Sequence, residues 1–443
     1  MNSSFFIKTY GCQMNDYDSE KINELLSSHG YRETLEIEKS DIAILNTCHI
    51  REKATEKLYS DLGRLSVFKE NKKRSGKDMK IIVTGCVAQA EGKEIIKRNK
   101  AVDLVLGPQN FHVIAKVLKK ELKKKTYTDF LGNEKFESFP VSNNKNVSRL
   151  VTIQEGCDKF CSFCVVPYTR GAEYCRSVED IYAEVLNLVK NGAMEVVLLG
   201  QNVSAYKSRI FEGKSLKNVG LNDLCNVLSD IRGLKRIRYI TSHPNDINND
   251  LIQEHKKNKK MMPFLHLPVQ SGSNRILKEM NRKHTREEYL EIINKIRISR
   301  PDFAFSSDFI VGYPGETERD FQDTLDLIEK VKFASSYSFR YSPRPGTPSS
   351  LKQNFVDDKK VAIRLQKIQR LLLEQQNEFN SELLGKTSEV LITGKAKKEN
   401  QYVGRTAYLQ PVHIYSSRNV TGKILKTKIE KLTAFSFHGK IIN

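Results

Sequence analysis

The strongest constraint on this chain is an alternation. Short apolar runs, each followed by a polar stretch with helical spacing, recur from residue 5 to residue 345. Phe5–Tyr10, Asp41–Asn46, Lys80–Thr84 and Val102–Leu106 each precede a helix-like segment, the pattern of a doubly wound parallel sheet. Residues 126–148 lose the periodicity and read as a linker. The alternation then resumes with six further candidate strands: Leu150–Gln154, Glu195–Leu199, Ile237–Thr241, Phe264–Leu267, Ala304–Val311 and Tyr337–Tyr341. Six strand-helix units in succession predict a partial βα barrel, whose chemistry belongs at the carboxyl ends of its strands.

The rest of the chain breaks this rhythm. Val361, Leu365, Ile368 and Leu372 share one helical face, and Gly385 supplies a stop, so residues 357–384 predict one helix. Beyond it, weakly apolar segments broken by Gly394, Gly404, Gly422 and Gly439 suit a small β-barrel. The chain is therefore expected to be α/β, with a first domain over 1–125, a linker over 126–148, a barrel core over 149–380 and a small β-barrel over 381–443.

Charge bears on the partner. Lys and Arg number 73 against 53 Asp and Glu, a formal net charge of +20 that draws polyanions such as nucleic acid or anionic membrane. From residue 386 to the end, 11 Lys/Arg face 3 Asp/Glu, an excess of 8, and this concentration favours an RNA-facing tail over a uniformly lysine-rich composition. No run approaches the roughly 18 apolar residues needed to span a bilayer, and the first residues lack a basic segment followed by an apolar one. The expectation is a soluble, cytoplasmic protein with no membrane partner.

Eight cysteines narrow the chemistry, since in a reducing compartment such cysteines serve as metal ligands or catalytic groups more often than as disulfides. Cys157, Cys161 and Cys164 form C-x3-C-x2-C just past the first barrel strand. Thiolates so crowded call for a soft metal. Three ligands on a [4Fe-4S] cluster leave one iron open; a zinc site wants four, and Cys175 could supply the last. Cys12, Cys48 and Cys86 lie far apart in sequence, yet each directly follows a predicted strand, so a parallel sheet would bring them to one edge as a second site. Cys225 sits within a helical pattern and reads as a small packed hydrophobe.

Several segments match a known family: Thr9-Tyr10-Gly11-Cys12-Gln13-Met14-Asn15, Asn46-Thr47-Cys48-His49-Ile50-Arg51-Glu52-Lys53-Ala54, Gly85-Cys86-Val87-Ala88-Gln89, and the run from Gln154 through Cys157, Cys161 and Cys164 to Gly171. Two more are Leu265-His266-Leu267-Pro268-Val269-Gln270-Ser271-Gly272-Ser273 and Tyr341-Ser342-Pro343-Arg344-Pro345-Gly346-Thr347-Pro348. The sequence resembles the radical S-adenosylmethionine enzymes and, more closely, their methylthiotransferases. Within these it is most similar to the branch acting on N6-(dimethylallyl)adenosine in tRNA, since Gln13-Met14-Asn15 departs from the neighbourhoods of the branches acting on threonylcarbamoyladenosine and on a ribosomal-protein aspartate.

The resemblance implies two [4Fe-4S] clusters, one held by Cys157, Cys161 and Cys164 and an auxiliary one by Cys12, Cys48 and Cys86. It also implies S-adenosyl-L-methionine as cofactor, a TRAM domain as RNA-binding tail, and methylthiolation of adenine C2 at tRNA position 37, in the anticodon loop. The C2–H bond is not acidic, so radical chemistry supplied by a cofactor is the plausible route. The resemblance further implies that sulfur is carried at the auxiliary site and that a second S-adenosylmethionine gives the methyl group. A monomer is expected, served by an electron donor and a sulfur source the sequence does not identify.

Among strand-end residues, Gln201, Gln270, Ser271, Asp308 and Glu316 are candidates for orienting cofactor or base, with turn stabilisation the alternative for each. Arg170 and Arg344 are candidates for RNA phosphate, with ordinary ion pairs the alternative. A zinc-dependent RNA-binding protein without catalysis is the rival from another class, and methylthiolation of another substrate the rival within this one.

Overall fold

A computed structural model describes residues 3–49, 52–119, 125–130, 134–212 and 215–442. Ile50 and Arg51 of one matching segment, and 131–133 of the expected linker, lie outside them. The chain divides into two compact units that do not follow chain order. The first comprises residues 1–142, 154–158 and 164–174; the second comprises 143–153, 159–163 and 175–443.

The first unit is a parallel sheet of six strands: β1 (Ser4–Tyr10), β2 (Arg32–Glu33), β3 (Ile42–Thr47), β4 (Lys80–Gly85), β5 (Leu104–Leu106) and β6 (Thr126–Tyr127). Their spatial order is β2-β1-β3-β4-β5-β6. All six residues of β3 are buried, because a central parallel strand is covered on both faces. Ala43 and Leu45 pack with Leu58, Leu62 and Leu65 of the helix Glu52–Arg74 on one face. Ile42 and Ile44 pack on the other face with Ile22 and Leu26 of the helix Gln13–Ser28. The doubly wound sheet expected from the sequence is present.

Its outer strands β2 and β6 were not expected. Residues 126–148 are not a free linker either: Thr126 and Tyr127 pair with β5, and Lys135 of the helix Glu134–Glu137 is wholly buried. Polar residues signal loop when read locally, and these are ordered by partners distant in sequence.

In the second unit all six expected strands form. Glu195–Leu199 lies between Arg236–Tyr239 and Ser148–Thr152, and Ala304–Val311 lies between Phe264–His266 and Ser335–Arg340, all parallel. A parallel bridge between Ile237 and Met261 joins the two groups of three into one open barrel wall. Helices cover its outside through Ile181, Leu224, Tyr289 and Phe321, packed on Val196, Ile237, Leu265 and Phe305. An antiparallel hairpin, Lys207–Glu212 with Ser215–Gly220, interrupts the alternation and was missed.

The long helix runs over Asp358–Ser381 and is capped by Asp357, whose carboxylate accepts from the backbone of Lys359 and Lys360. After it the chain closes a five-stranded barrel spanning Thr387–Ile441, built on Val390, Ile392, Val412, Ile414 and Ile429. Two arginines of the wide barrel dock it. Arg236 donates to the carbonyls of Arg405, Thr406 and Glu389, and Arg238 to those of Thr406 and Ala407. Glu195 holds Arg238 at 2.7 Å.

Candidate functional site

Cys12, Cys48 and Cys86 follow β1, β3 and β4, three adjacent strands in register: Tyr10 pairs with Thr47, and Thr47 with Gly85. Strand order reverses between β1 and β3, and in open α/β sheets that switch point is where ligands bind. The sheet therefore delivers two of the cysteines to the two sides of its crevice and the third beside them. The Cys48 amide donates to the Tyr10 carbonyl at 3.1 Å. Gly11 has φ +122°, and a Cβ there would lie 2.1 Å from the Cβ of Cys48, so only glycine lets the two segments approach this closely.

The electrostatics suit thiolates. A hydrogen bond with Cys48 lowers the Cys12 thiol to about 6 against the opposing effect of burial, with the Arg170 charge and the backbone at Asn15 and Met14 assisting. Burial raises Cys86, and the Arg170 guanidinium opposes the rise. Arg170 is 2% exposed. It pairs with Asp18 at 2.8 Å and with Glu155, while Lys135 bridges the same two carboxylates at 3.0 and 2.9 Å. Two cations and two anions thus form a closed buried ring beside the cysteines. Arg170 is no RNA contact; it is a structural ion of the first unit. A soft donor set of three thiols under one guanidinium fits an iron-sulfur cluster.

Of the second triad, Cys157 and Cys164 belong to the first unit and Cys161 to the second. Gly156 has φ +79°, and a Cβ there would meet the Ala172 carbonyl oxygen at 2.0 Å. The Cys157 amide donates to the Gly171 carbonyl at 3.2 Å. In the second unit, Ser162 fixes the loop beside Cys161: its amide donates to the Met280 carbonyl at 2.9 Å and its hydroxyl to the Glu279 carbonyl at 2.9 Å. Lys159 pairs with Asp246 at 2.7 Å. The Arg282 guanidinium donates to the Cys161 sulfur at 3.5 Å. Among the described residues no three His, Cys, Asp or Glu gather tightly enough for one metal ion, and a four-iron cube asks for a wider span than an ion does.

Each strand-end candidate has its own local contacts. Asp308 lies 3.4 Å from His266, whose other ring nitrogen meets the Ser306 hydroxyl at 3.0 Å. Gln270 takes φ +76°, and its backbone bridges Asp308 and Ile310. Ser271 is wholly buried and lies 3.3 Å from the Thr324 hydroxyl, a contact inside the fold. Glu316 accepts from the Gly312 amide at 2.9 Å and pairs with Arg364 at 2.8 Å, closing its own loop onto the long helix. Gln201 follows Glu195–Leu199 and is half-buried, and the Arg344 carbonyl accepts from Thr347 in a turn. Cys225 is buried in the helix Leu221–Ser229, as expected of a packing residue. The Cys175 sulfur accepts from the Lys207 amide at 3.5 Å.

Sequence reasoning missed Lys135, Ser162, His266 and Arg282. Each acts on residues far away in the chain, and no spacing rule exposes that. Only His266 and Ser162 fell within segments already singled out.

The family comparisons agree with this architecture. Residues 4–107 match the Uncharacterized protein family UPF0004, and residues 151–328 match the Radical SAM superfamily. Among curated proteins, the tRNA-2-methylthio-N(6)-dimethylallyladenosine synthase of Rickettsia akari (strain Hartford) is 49% identical over 448 residues, with 100% of both chains covered. That of Rickettsia prowazekii (strain Madrid E) is 50% identical over 449 residues, again with 100% of both covered. The chain belongs to this synthase family. The Radical SAM match brings S-adenosylmethionine and a [4Fe-4S] cluster with it.

Solved structures share the fold. The radical S-adenosylmethionine methyltransferase TsrM from Kitasatospora setae superposes with a TM-score of 0.56 at 10% identity, covering 79% of this chain and 77% of that one. The cobalamin-dependent S-adenosylmethionine radical enzyme OxsB gives 0.54 at 11%, covering 84% and 56%. At such identities the likeness is one of fold. No helix among the described residues of the chain is long and apolar enough to cross a membrane.

Proposed function

We propose that the chain methylthiolates C2 of N6-(dimethylallyl)adenosine at position 37 of tRNA, beside the anticodon. The observation that carries this reading is full-length identity near one half to synthases of that name, joined to cysteines at the three strand ends where the first sheet gathers ligands.

Cys157, Cys161 and Cys164 would hold one [4Fe-4S] cluster, and Cys12, Cys48 and Cys86 a second. With S-adenosylmethionine, such a cluster supplies the radical chemistry that a nonacidic C–H bond demands. The protein's own residues bind and orient. Gly11 lets the first and second cysteine segments close on one another, and Arg170 stabilises thiolate at Cys12. Lys159 and Ser162 fix the short cysteine loop. Gln201, Gln270 and Asp308, at strand ends of the wide barrel, are proposed to orient cofactor or base; Ser271 and Glu316 act beneath them by holding the strand-end loops.

The closed tail barrel, with its basic excess and the exposed Tyr415 and Phe435, offers phosphate contacts and stacking faces to tRNA. The base to be modified lies in a loop, where it can be splayed out without opening a duplex. The enzyme is taken to act as a monomer in the cytoplasm, with an external electron donor and sulfur source.

Mass analysis of tRNA nucleosides from cells lacking the gene tests the reading. The methylthio prenyladenosine disappears and its unthiolated precursor accumulates. An unchanged nucleoside profile overturns the assignment.

A further inference from the structure

Buried guanidinium groups are costly unless an anion or a full set of acceptors meets them. Five buried arginines obey this rule. Arg176 pairs with Glu184 at 2.6 Å, Arg238 with Glu195 at 2.7 Å, Arg364 with Glu316 at 2.8 Å and Arg170 with Asp18 at 2.8 Å. Arg236 instead gives its two terminal nitrogens to three carbonyl oxygens.

Arg282 differs from these five. It is 7% exposed, and among the described residues it has no carboxylate partner. Its Nε is buried without an acceptor. One terminal nitrogen donates to the Pro268 carbonyl, and the other donates to the sulfur of Cys161 at 3.5 Å. The neighbouring His284 ring stays neutral, because burial, with the Arg282 charge adding to it, lowers it to about 3.

We infer that Arg282 is the buried counter-ion of the cluster-bearing Cys161 thiolate, a positioning residue that stabilises the reduced, more negative state of that cluster. The inference rests on the reading that Cys157, Cys161 and Cys164 hold a [4Fe-4S] cluster. Given that reading, the structure supplies a buried cation that has no carboxylate partner among the described residues and is already in contact with a ligating sulfur. Arg282 also ties this sulfur to Pro268, the residue that opens a strand-end loop, so the same side chain fixes where the cluster sits relative to the barrel wall. Arginine suits the task because its fork serves both acceptors at once, which a lysine ammonium cannot do in the same geometry.

The test uses the full chain, anaerobically reconstituted, as wild type and as Arg282→Gln and Arg282→Lys. Iron and sulfide are counted, and each cluster's midpoint potential is followed by its electron paramagnetic resonance signal; the cluster with the open iron is identified by the change its signal shows on adding S-adenosylmethionine. In Arg282→Gln that cluster's potential shifts downward while the other stays put, and Arg282→Lys recovers part of the shift. If Arg282→Gln loses the cluster altogether, the partial rescue expected of Arg282→Lys is read as recovery of iron, and no recovery overturns the inference. An unchanged potential with full iron also overturns it, as does an unchanged potential accompanied by weaker S-adenosylmethionine binding, which would make Arg282 a cofactor ligand instead. Wild-type protein that never takes up the S-adenosylmethionine-responsive cluster would defeat the underlying reading and is thereby distinguished.

Discussion

The two cysteine triads are gathered by opposite routes. One is assembled by the sheet: Cys12, Cys48 and Cys86 come from three separate segments and meet because β1, β3 and β4 are neighbours. The other is carried by one loop, Cys157 to Cys164, and depends on anchors around it. Each triad has a buried arginine beside it, and the contrast continues there. Arg170 is neutralised by Asp18 and Glu155 before any cysteine is considered, whereas Arg282 has no carboxylate partner among the described residues. A triad built by the fold is guarded by charges that hold the fold; a triad built by a loop leaves its arginine free for the sulfur.

Mutating one cysteine in each triad is the sharpest way to break this contrast. Cys161→Ala should abolish reductive cleavage of S-adenosylmethionine, measured as deoxyadenosine released, whereas Cys48→Ala should retain cleavage and lose sulfur insertion. Full methylthiolation by the Cys48 variant would collapse the division of labour.

The next largest effect concerns the ring. Arg170→Met leaves Asp18 and Glu155 to share the single charge of Lys135, with one buried negative charge uncompensated, and should cost about 3–5 kcal/mol, read from chemical denaturation. Adding Glu155→Gln to it should cost less than the sum of the single changes, because both act on one network. A cost below about 1 kcal/mol would show that the ring is incidental to the fold.

Gly11→Ala and Gly156→Ala compare the routes at the backbone. Both impose a side chain at positive φ and against neighbouring atoms, so each should destabilise by about 2–3 kcal/mol. Gly11→Ala should also weaken iron uptake at the fold-built site, since the crowding falls on Cys48 itself. Equal iron content in both variants would count against the close approach being essential.

The smallest effect is one of pH. His255 lies buried in the second unit, its Nε2 2.7 Å from the Tyr239 hydroxyl, and burial lowers it to about 3 with the Arg300 charge adding. The unfolded chain binds a proton near pH 6.5 that the folded one refuses, so this contribution is complete above that pH and is lost as pH falls toward 3. At pH 5 the loss should be about 1–2 kcal/mol. His255→Phe should flatten that part of the stability profile; an unaltered slope would show that the residue is not its source.

Much of this was legible in the chain. Parallel strands buried on both faces are continuous apolar runs, so β3, β4 and the barrel strands were readable within a residue or two. The cysteines were readable because strand ends are where parallel sheets place ligands. The ring was not, since Lys135 and Asp18 are 117 positions apart and a buried lysine has the same local signature as a solvated one. For that reason the sequence left Arg170 between RNA phosphate and an ordinary ion pair, and its pairing with Asp18 and Glu155 favours the second. The strands Arg32–Glu33 and Thr126–Tyr127, two residues each, are too short to show a period.

The way the small barrel is attached has an evolutionary consequence. Arg236 and Arg238 grip it only through main-chain oxygens of Glu389, Arg405, Thr406 and Ala407, which every amino acid supplies. Apart from Tyr408 and Gln410, whose side chains bond Asp302 and Asn380, mutation can therefore rewrite side chains of that appendage, and with them its preference among nucleic acids, while these main-chain bonds to the catalytic body persist.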